Sequence, residues 1–341
     1  MVASEGDTMS ASPRMTARDA LTAVLASELA ASPETMFLGE TVRGIGAAGV
    51  AAGLYDRFGP EQVVETPVSE NAIFGAVLGL AIAGLRPVVE IYSADFLLAV
   101  ANEVINDIAK WRHQQTRPEQ LSITIRGCMG ANGGLGPEHS QSMEPYLHHA
   151  PGLIIVVPGT PADCAGLLRA AIRSPDPVVV LEHRKVYGLE GEVPQDPDFV
   201  VGIGEAEIVR SGEDLTIVAW GWMRHEAELA ADELARHGIS AELIDPRTIR
   251  PMDWETILRS ARKTGRLLVA EEAQITGSVG AEILARVTES AGDSSPHVAR
   301  VAMPDVIHPY SASMEAEILP GAGDIVAAAL RLCPTPVQSK A

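Results

Sequence analysis

Short hydrophobic runs alternate with helix-length segments along most of the chain, and this alternation constrains the fold more than any other feature. In the first half, the runs are at 36–38, 62–66, 87–92, 122–126, 154–157 and 178–182. The segments between them have the length and composition of helices, for example 17–31, 71–84, 96–112 and 161–174. Strands separated by helices of this length predict βαβ units. We therefore expect an α/β fold with a mainly parallel sheet.

A break in this pattern divides the chain into two α/β domains. The segment GLEGEVPQDPDF after Tyr187 is rich in glycine, proline and acidic residues, which is typical of a linker. A second series of alternating strands and helices follows it. The predicted boundaries are a disordered lead-in at 1–14, a first domain at 15–188, a linker at 189–206 and a second domain at 207–335.

The charge of the chain argues against two classes of partner. Lysine and arginine number 26 and aspartate and glutamate 45, which gives a formal net charge of −19. A nucleic-acid-binding chain would show a basic face, and an anionic membrane surface would repel this one. We therefore expect neither nucleic acid nor a membrane as a partner.

Cysteine usage and the N-terminal residues indicate where the chain works. Cys128, Cys164 and Cys333 are widely spaced and form neither a disulfide framework nor a CxxC pair. The first 14 residues include Glu5 and Asp7 and lack an apolar centre, unlike a signal peptide. No apolar run approaches the roughly 20 residues of a membrane helix. We expect a reducing, cytoplasmic location.

Two glycine-rich segments have the appearance of ligand-binding loops. Residues 44–49 match GxGxxG, but four residues separate Gly39 from Gly44, whereas a dinucleotide-binding loop begins directly after its strand. A flexible loop is the favoured interpretation of this segment. Residues 127–136 hold five glycines after a strand, without the GKS or GKT ending of a phosphate loop. This second loop is either a plain surface loop or a ligand site that includes His139.

Three acidic residues lie at the ends of predicted strands or the starts of helices. Glu70 begins an apolar helix, where the helix dipole alone would stabilise a carboxylate. Its position at the rim of the sheet is also that of a functional residue. Glu90 and Asp95 flank Tyr92 in EIYSADF, and we expect both to be solvated loop acids.

Several motifs in fixed order resemble one known family. They are ETPVSEN (65–71), GLRPVVEIYSADF (84–96), NDIAK (106–110) and EHSQS (138–142). Over residues 15–332 the chain resembles the β subunit of the heterotetrameric, thiamine-diphosphate-dependent 2-oxoacid dehydrogenases, which include pyruvate, branched-chain 2-oxoacid and acetoin dehydrogenases. The resemblance implies a transketolase-like pyrimidine-binding domain at 15–188 and a transketolase C-terminal domain at 207–335.

The same resemblance implies a set of residues that bind the cofactor. Glu70 matches the glutamate that contacts N1′ of the aminopyrimidine, and Glu40 matches a second acid near that ring. Phe96 matches the aromatic residue that stacks on the pyrimidine. Val68 and Tyr92 fall at positions on the wall of the site. A carboxylic acid in a dry site can share a proton with a ring nitrogen, which explains why this position holds a glutamate.

A histidine completes the implied site. His139 matches the histidine that assists decarboxylation of the substrate or acyl transfer to a lipoyl group. The alternative is that His139 only orders the glycine-rich loop through hydrogen bonds with Ser140 or Gln141. The chain itself offers no metal ligands at the expected spacing.

The resemblance also implies partners. The family's GDG…NN motif, which holds magnesium and the diphosphate, lies in the α subunit, and this chain contains no GDG. We therefore expect an α2β2 heterotetramer that binds thiamine diphosphate and magnesium, acts on a small 2-oxo acid and serves a lipoyl-bearing acyltransferase.

Departures from the family pattern at 112–116, 137–138 and 305–310 leave the substrate and the acceptor open. Two alternatives remain at this point. One is a carboligase that passes an acyl or ketol unit to an aldehyde. The other is a non-catalytic assembly subunit that has kept the fold.

Overall fold

The computed structural model describes residues 12–115, 120–290, 292 and 295–334. Of the predicted lead-in, residues 1–11 lie outside this range, and Arg14 already begins a strand. Thr116 of the departure at 112–116 also lies outside it.

Numbered in chain order, the strands are β1 (Arg14–Thr16), β2 (Thr35–Gly39), β3 (Val63–Glu65), β4 (Arg86–Ile91), β5 (Thr124–Met129), β6 (Ile154–Val156), β7 (Val178–His183), β8 (Glu190–Glu192), β9 (Glu207–Arg210), β10 (Leu215–Ala219), β11 (Ala241–Asp245), β12 (Thr248–Arg250), β13 (Arg266–Gln274) and β14 (His297–Met303). The α-helices are α1 (Ala17–Ala31), α2 (Leu54–Gln62), α3 (Glu70–Ile82), α4 (Trp111–Gln114), α5 (Glu144–His148), α6 (Pro161–Arg173), α7 (Trp222–Arg236), α8 (Trp254–Thr264), α9 (Val279–Ser290), α10 (Ala312–Ile318) and α11 (Ala322–Leu332).

The described strands form two large sheets, both mainly parallel as predicted. The first has the order β12-β6-β7-β5-β4-β2-β3, and only β12 in it runs antiparallel to its neighbour. The second has the order β14-β13-β10-β11-β9, with β9 antiparallel. β12 comes from the second half of the chain and joins the first sheet. The stretch predicted as a linker contains β8, which pairs with β1.

Capping residues explain where several helices begin. The Thr16 hydroxyl accepts a hydrogen bond from the backbone N–H of Asp19 (3.1 Å) and donates one to its carboxylate (2.7 Å). Thr160 and Asp163 repeat this arrangement at the start of α6. A threonine at the N-cap satisfies an N–H group that the first helical turn leaves without a partner. This cap places the start of α1 at Ala17, and the helix covers the predicted Ala17–Ala31.

The predicted helix over 96–112 is wrong in its type and continuity. The segment consists of a 3₁₀ turn at Ala94–Leu98, a π-helical stretch at Asn102–Ile108 and the short α4. The Ala109 N–H donates to the Val104 carbonyl (3.0 Å), which closes the wider turn of a π-helix.

One hydrophobic core joins the two sheets. It includes Val89 and Ile125 from the first sheet together with Val218 and Val269 from the second. A second core lies on the other face of the first sheet, beneath α1 and α6, and a third beneath α7 and α11 on the second sheet. Because the central core is shared, loops at the edge of the first sheet are held against the second half of the chain.

Candidate active site

The predicted site residues gather at the carboxyl-terminal edge of the first sheet. Glu40 follows β2, Tyr92 follows β4, and His139 lies on the loop that follows β5. Ligands of open parallel sheets bind at this edge, because the loops after neighbouring strands converge there. The chain order of strands and helices therefore places these residues near one another.

Glu40 and Glu70 form an acidic pair at this edge. Both side chains are half-buried, and Glu70 is the first residue of α3. Burial raises the pKa of the Glu40 carboxyl, and the negative charge of Glu70 raises it further. The start of α3 is fixed by Asn71, whose amide donates to the Ala99 carbonyl (3.2 Å) and to Glu103 (3.1 Å). An acid in such a pair readily shares a proton with a basic ligand atom.

Phe96 and His139 lie in direct contact. Their rings meet edge to face, with centroids 5.4 Å apart and planes at 85°. Within the described part of the chain, the His139 side chain makes no hydrogen bond. The imidazole is therefore oriented by ring packing, and its two nitrogens remain available to a ligand.

Other residues hold the segment around His139 in place. Asp95 is only 4% exposed, and its carboxylate accepts hydrogen bonds from the backbone and side-chain amides of Gln141, both at 3.0 Å. The Gln141 carbonyl in turn accepts from the Gly130 N–H (3.2 Å). The expectation that Asp95 is a solvated loop acid is wrong, because its carboxylate is a buried anchor of the loop.

The glycine-rich loop is not a plain surface loop, because its backbone contacts the second half of the chain. The Ala131 N–H donates to Glu272 (2.8 Å), and the N–H groups of Gly133 and Gly134 donate to Glu315 (2.8 and 3.0 Å). At Gly130, where φ is +82°, an added Cβ would lie 2.2 Å from the ring of His183. Glycine is required there by both the backbone conformation and the close approach.

A buried ion-pair network lies beneath the site, and the sequence did not reveal it. The side chain of Arg126 on β5 is fully buried and bonds Glu90 on β4 and Glu182 on β7. The other oxygen of Glu90 accepts the Ala47 N–H (2.7 Å). The prediction that Glu90 is a solvated acid is therefore wrong. Glu90 is 2% exposed and fixes the loop at 44–49, the GxGxxG segment, against the sheet.

A cavity of about 280 Å³ opens beside His139. Tyr92 and His139 line it, together with Arg18 and Arg184, which belong to none of the motifs in the sequence. Val68 does not line this cavity, and its side chain is 77% exposed on the loop before α3. The predicted residues thus form two groups: Glu40 with Glu70, and His139 with Phe96 and Tyr92.

The residues that the structure describes contain neither a metal-binding cluster nor a membrane-spanning helix. None of these residues form a cluster of three or more histidine, cysteine or acidic side chains arranged to hold a metal ion. No helix within the same ranges combines the length and the apolar character needed to cross a bilayer.

Comparison with known proteins agrees with the fold. Residues 13–190 match the transketolase pyrimidine-binding domain, and residues 204–325 match the transketolase C-terminal domain. A solved structure described as a split-gene transketolase, an inactive beta4 tetramer, superimposes with a TM-score of 0.76 at 25% identity, covering 93% of this chain and 98% of that one.

Two relatives are similar over nearly the whole chain. The pyruvate dehydrogenase E1 component subunit beta-2 of Oryza sativa, a mitochondrial protein, is 42% identical over 95% of this chain and 87% of its own length. The β subunit of the acetoin:2,6-dichlorophenolindophenol oxidoreductase of Cupriavidus necator is 38% identical over 91% of this chain and 95% of its own. The chain therefore belongs to the transketolase-like family of 2-oxoacid dehydrogenase E1 β subunits.

Proposed function

We propose that this chain, assembled with an α subunit, catalyses the oxidative decarboxylation of a 2-oxo acid with thiamine diphosphate and transfers the acyl group to a lipoyl-bearing partner. The observation that carries the proposal is the acidic pair Glu40–Glu70, at the edge of the sheet that also presents Phe96 and His139. A non-catalytic assembly subunit would not require two interacting carboxylates at the ligand-binding edge of the sheet.

The residues at this edge fit an aminopyrimidine ring. Glu70 offers a carboxylate to a ring nitrogen, and Phe96 is half-buried and offers an aromatic surface for stacking. Tyr92 is 48% exposed and Val68 77%, so both side chains are accessible to a bound ring. In contact with the ring, they would shield it from water. Thiamine diphosphate, when bound, supplies a nucleophilic carbon and an electron sink.

Each residue of the chain has a distinct task in this proposal. Glu70 holds a proton at N1′ of the ring, and Glu40 helps to keep that proton in the site through its own negative charge. His139 donates a proton to the reacting substrate, since an imidazole can do so near neutral pH. Magnesium and the diphosphate are held mainly by the α subunit.

The exposed apolar residues support an α2β2 assembly. Val68, Ile307 and Tyr310 are 77%, 79% and 66% exposed, and a partner chain packed against them would remove this apolar surface from water. The split-gene transketolase of similar fold is described as inactive as a beta4 tetramer, which agrees with a chain of this type needing a different partner. The cytoplasmic location stays a prediction, because the rice relative is mitochondrial by name.

Co-expression with an α-type chain tests the proposal. The purified assembly would be supplied with thiamine diphosphate, magnesium and a panel of 2-oxo acids, with 2,6-dichlorophenolindophenol as the electron acceptor. We expect reduction of the dye that requires both chains and a 2-oxo acid. Formation of an acyloin from an added aldehyde, without dye reduction, would instead identify a carboligase.

A further inference from the structure

The cavity beside His139 is lined by two arginines and by no carboxylate. Its lining includes Arg18, Tyr92, Cys128, His139, Arg184 and Tyr187, and none of its other lining residues is acidic. The chain as a whole carries a formal charge of −19. A cavity lined by two guanidinium groups, in a protein that is otherwise strongly acidic, is suited to binding an anion.

Arg184 is held in place by neutral groups. Its guanidinium donates to the Gly130 carbonyl (3.2 Å) and to the Ser93 hydroxyl (2.8 Å). The Ser93 hydroxyl in turn donates to the Asp95 carboxylate. Asp95 is therefore connected to Arg184 only through this hydroxyl and does not bond it directly. Within the described residues Arg184 forms no ion pair. Its charge is therefore positioned but not directly neutralised.

Arg18 also enters the cavity without a partner. It lies on the exposed side of α1 with its side chain over Gly49, where an added Cβ would meet the Arg18 Cδ at 3.2 Å. Its side chain forms neither an ion pair nor a hydrogen bond within the described part of the chain, and only its backbone carbonyl accepts a hydrogen bond, from the Thr22 hydroxyl (3.1 Å). Arg126 differs, because two buried carboxylates bond it. The two cavity arginines thus lack the kind of partner that the structural arginine beneath them has.

The other lining groups do not supply the missing negative charge. Burial raises the pKa of the Cys128 thiol above its usual value. Burial and the charge of Glu182 raise the pKa of the Tyr187 phenol well above its usual range. Both groups are neutral at physiological pH. The lining residues therefore include two positively charged arginines and no negatively charged group, so an anion entering the cavity would meet no repelling group among them.

We propose that this cavity binds a second carboxylate of the substrate, so that the 2-oxo acid is a dicarboxylate whose remote end lies between Arg18 and Arg184. The inference rests on the proposed function, because it takes the reacting end of the substrate to lie at His139. His139 contacts Phe96 on one side and lines the cavity on the other. A substrate reaching from the pyrimidine-binding edge into the cavity would therefore pass this residue.

Two five-carbon acids test the proposal with the assembled αβ enzyme. 2-Oxoglutarate and 2-oxopentanoate have chains of equal length and differ only at the remote end, which is a carboxylate in the first and a methyl group in the second. We expect 2-oxoglutarate to have the higher kcat/KM. Arg184→Gln should raise its KM by about 10- to 100-fold, the usual worth of a charge-assisted hydrogen bond. The KM for 2-oxopentanoate should change less than about twofold.

Arg18→Gln provides a second variant, since the Arg18 side chain makes no hydrogen bond among the residues that the structure describes, and the bond from Thr22 to its backbone carbonyl is kept. This variant should also have a higher KM for 2-oxoglutarate. Glutarate should inhibit the wild type more strongly than it inhibits either variant. Arg259→Gln is the control, because Arg259 lies on α8 with a side chain 60% exposed. This control should behave as the wild type with both acids.

The outcomes separate the two proposals. Turnover of 2-oxopentanoate but not of 2-oxoglutarate would overturn the dicarboxylate inference and leave the proposed function standing. Absence of turnover with every 2-oxo acid would contradict the proposed function itself. Loss of the α subunit from Arg184→Gln or Arg18→Gln would show that a carboxylate of the partner occupies the cavity, which would also overturn the inference.

Discussion

Replacing Arg126 by methionine should destabilise the protein more than any exposed arginine substitution. Arg126 is the cation between Glu90 and Glu182, and the side chains of the three residues are 0%, 1% and 2% exposed. Methionine fills much of the volume but carries no charge. The variant therefore leaves two carboxylates buried without their counter-ion. Both belong to strands, β4 and β7, that pair with β5 at the centre of the first sheet.

The expected loss follows from this burial. Breaking a buried ion pair by removing one partner costs about 3–5 kcal/mol, because the remaining charge is desolvated and unpaired. Each carboxylate keeps one donor, Ala47 N–H for Glu90 and the Tyr187 hydroxyl for Glu182, so the loss should stay within this range. The exposed pair Arg210–Asp232, with side chains 38% and 66% exposed, should lose less than about 1 kcal/mol in Arg210→Met.

Urea denaturation, monitored by circular dichroism, measures the difference in stability between Arg126→Met and Arg210→Met. The shift in midpoint, multiplied by a common slope, gives the change in the free energy of unfolding. A triple variant that combines Arg126→Met with Glu90→Gln and Glu182→Gln removes all three charges and should recover part of the loss. A loss no larger than that of Arg210→Met would refute the reasoning, and so would a triple variant less stable than Arg126→Met.

Three further predictions concern a glycine, a buried acid and the active-site histidine. Gly46→Ala places a Cβ 2.6 Å from the Ala51 Cβ and 2.7 Å from Glu90 Oε1 at a φ of +64°, and should cost about 2–4 kcal/mol. Gly53→Ala, with a similar φ and nothing within 4 Å, should cost about 1 kcal/mol, and equal midpoint shifts in urea would contradict this. Burial raises the pKa of Glu271 from 4.5 to about 7, so the folded state binds the proton more tightly and stability should fall by about 3 kcal/mol as pH rises from 4.5 through 7. Glu271→Gln should remove this dependence, and urea midpoints at pH 5 and pH 8 that shift as in the wild type would disprove it. His139→Ala should keep the melting temperature and cofactor affinity while turnover falls at least about 10²-fold; a joint loss of all three would instead identify a loop anchor.

The α/β alternation allowed much of the fold to be predicted, because a buried parallel sheet leaves a periodic signal in the sequence. The π-helical stretch at 102–108 could not be predicted in this way, since seven residues are too few for hydrophobic periodicity to distinguish a π-helix from an α-helix. The short strand at 248–250 was missed because it joins the first sheet from the second half of the chain. Pairings of this kind depend on tertiary contacts.

The candidate site rests on motifs in the sequence, whereas the residues that support it were missed because they are distant from those motifs along the chain. Glu90 and Arg126 are 36 residues apart and become neighbours only through the register of β4 and β5. Gly133 is 182 residues from Glu315, which accepts its N–H. Arg18 and Arg184 belong to no motif, and only their shared cavity connects them.

The activity of Glu70→Gln in the assembled αβ enzyme tests the central claim most directly. A neutral amide cannot share a proton with the pyrimidine nitrogen, so dye reduction driven by a 2-oxo acid should fall by about 10²–10⁴-fold. Subunit assembly and the melting temperature should stay as in the wild type. Glu65→Gln, an exposed acid nearby on β3, should keep near-normal activity as the control. If Glu70→Gln assembled normally and kept its activity within a factor of about three, the assignment of this edge as the catalytic site would be wrong.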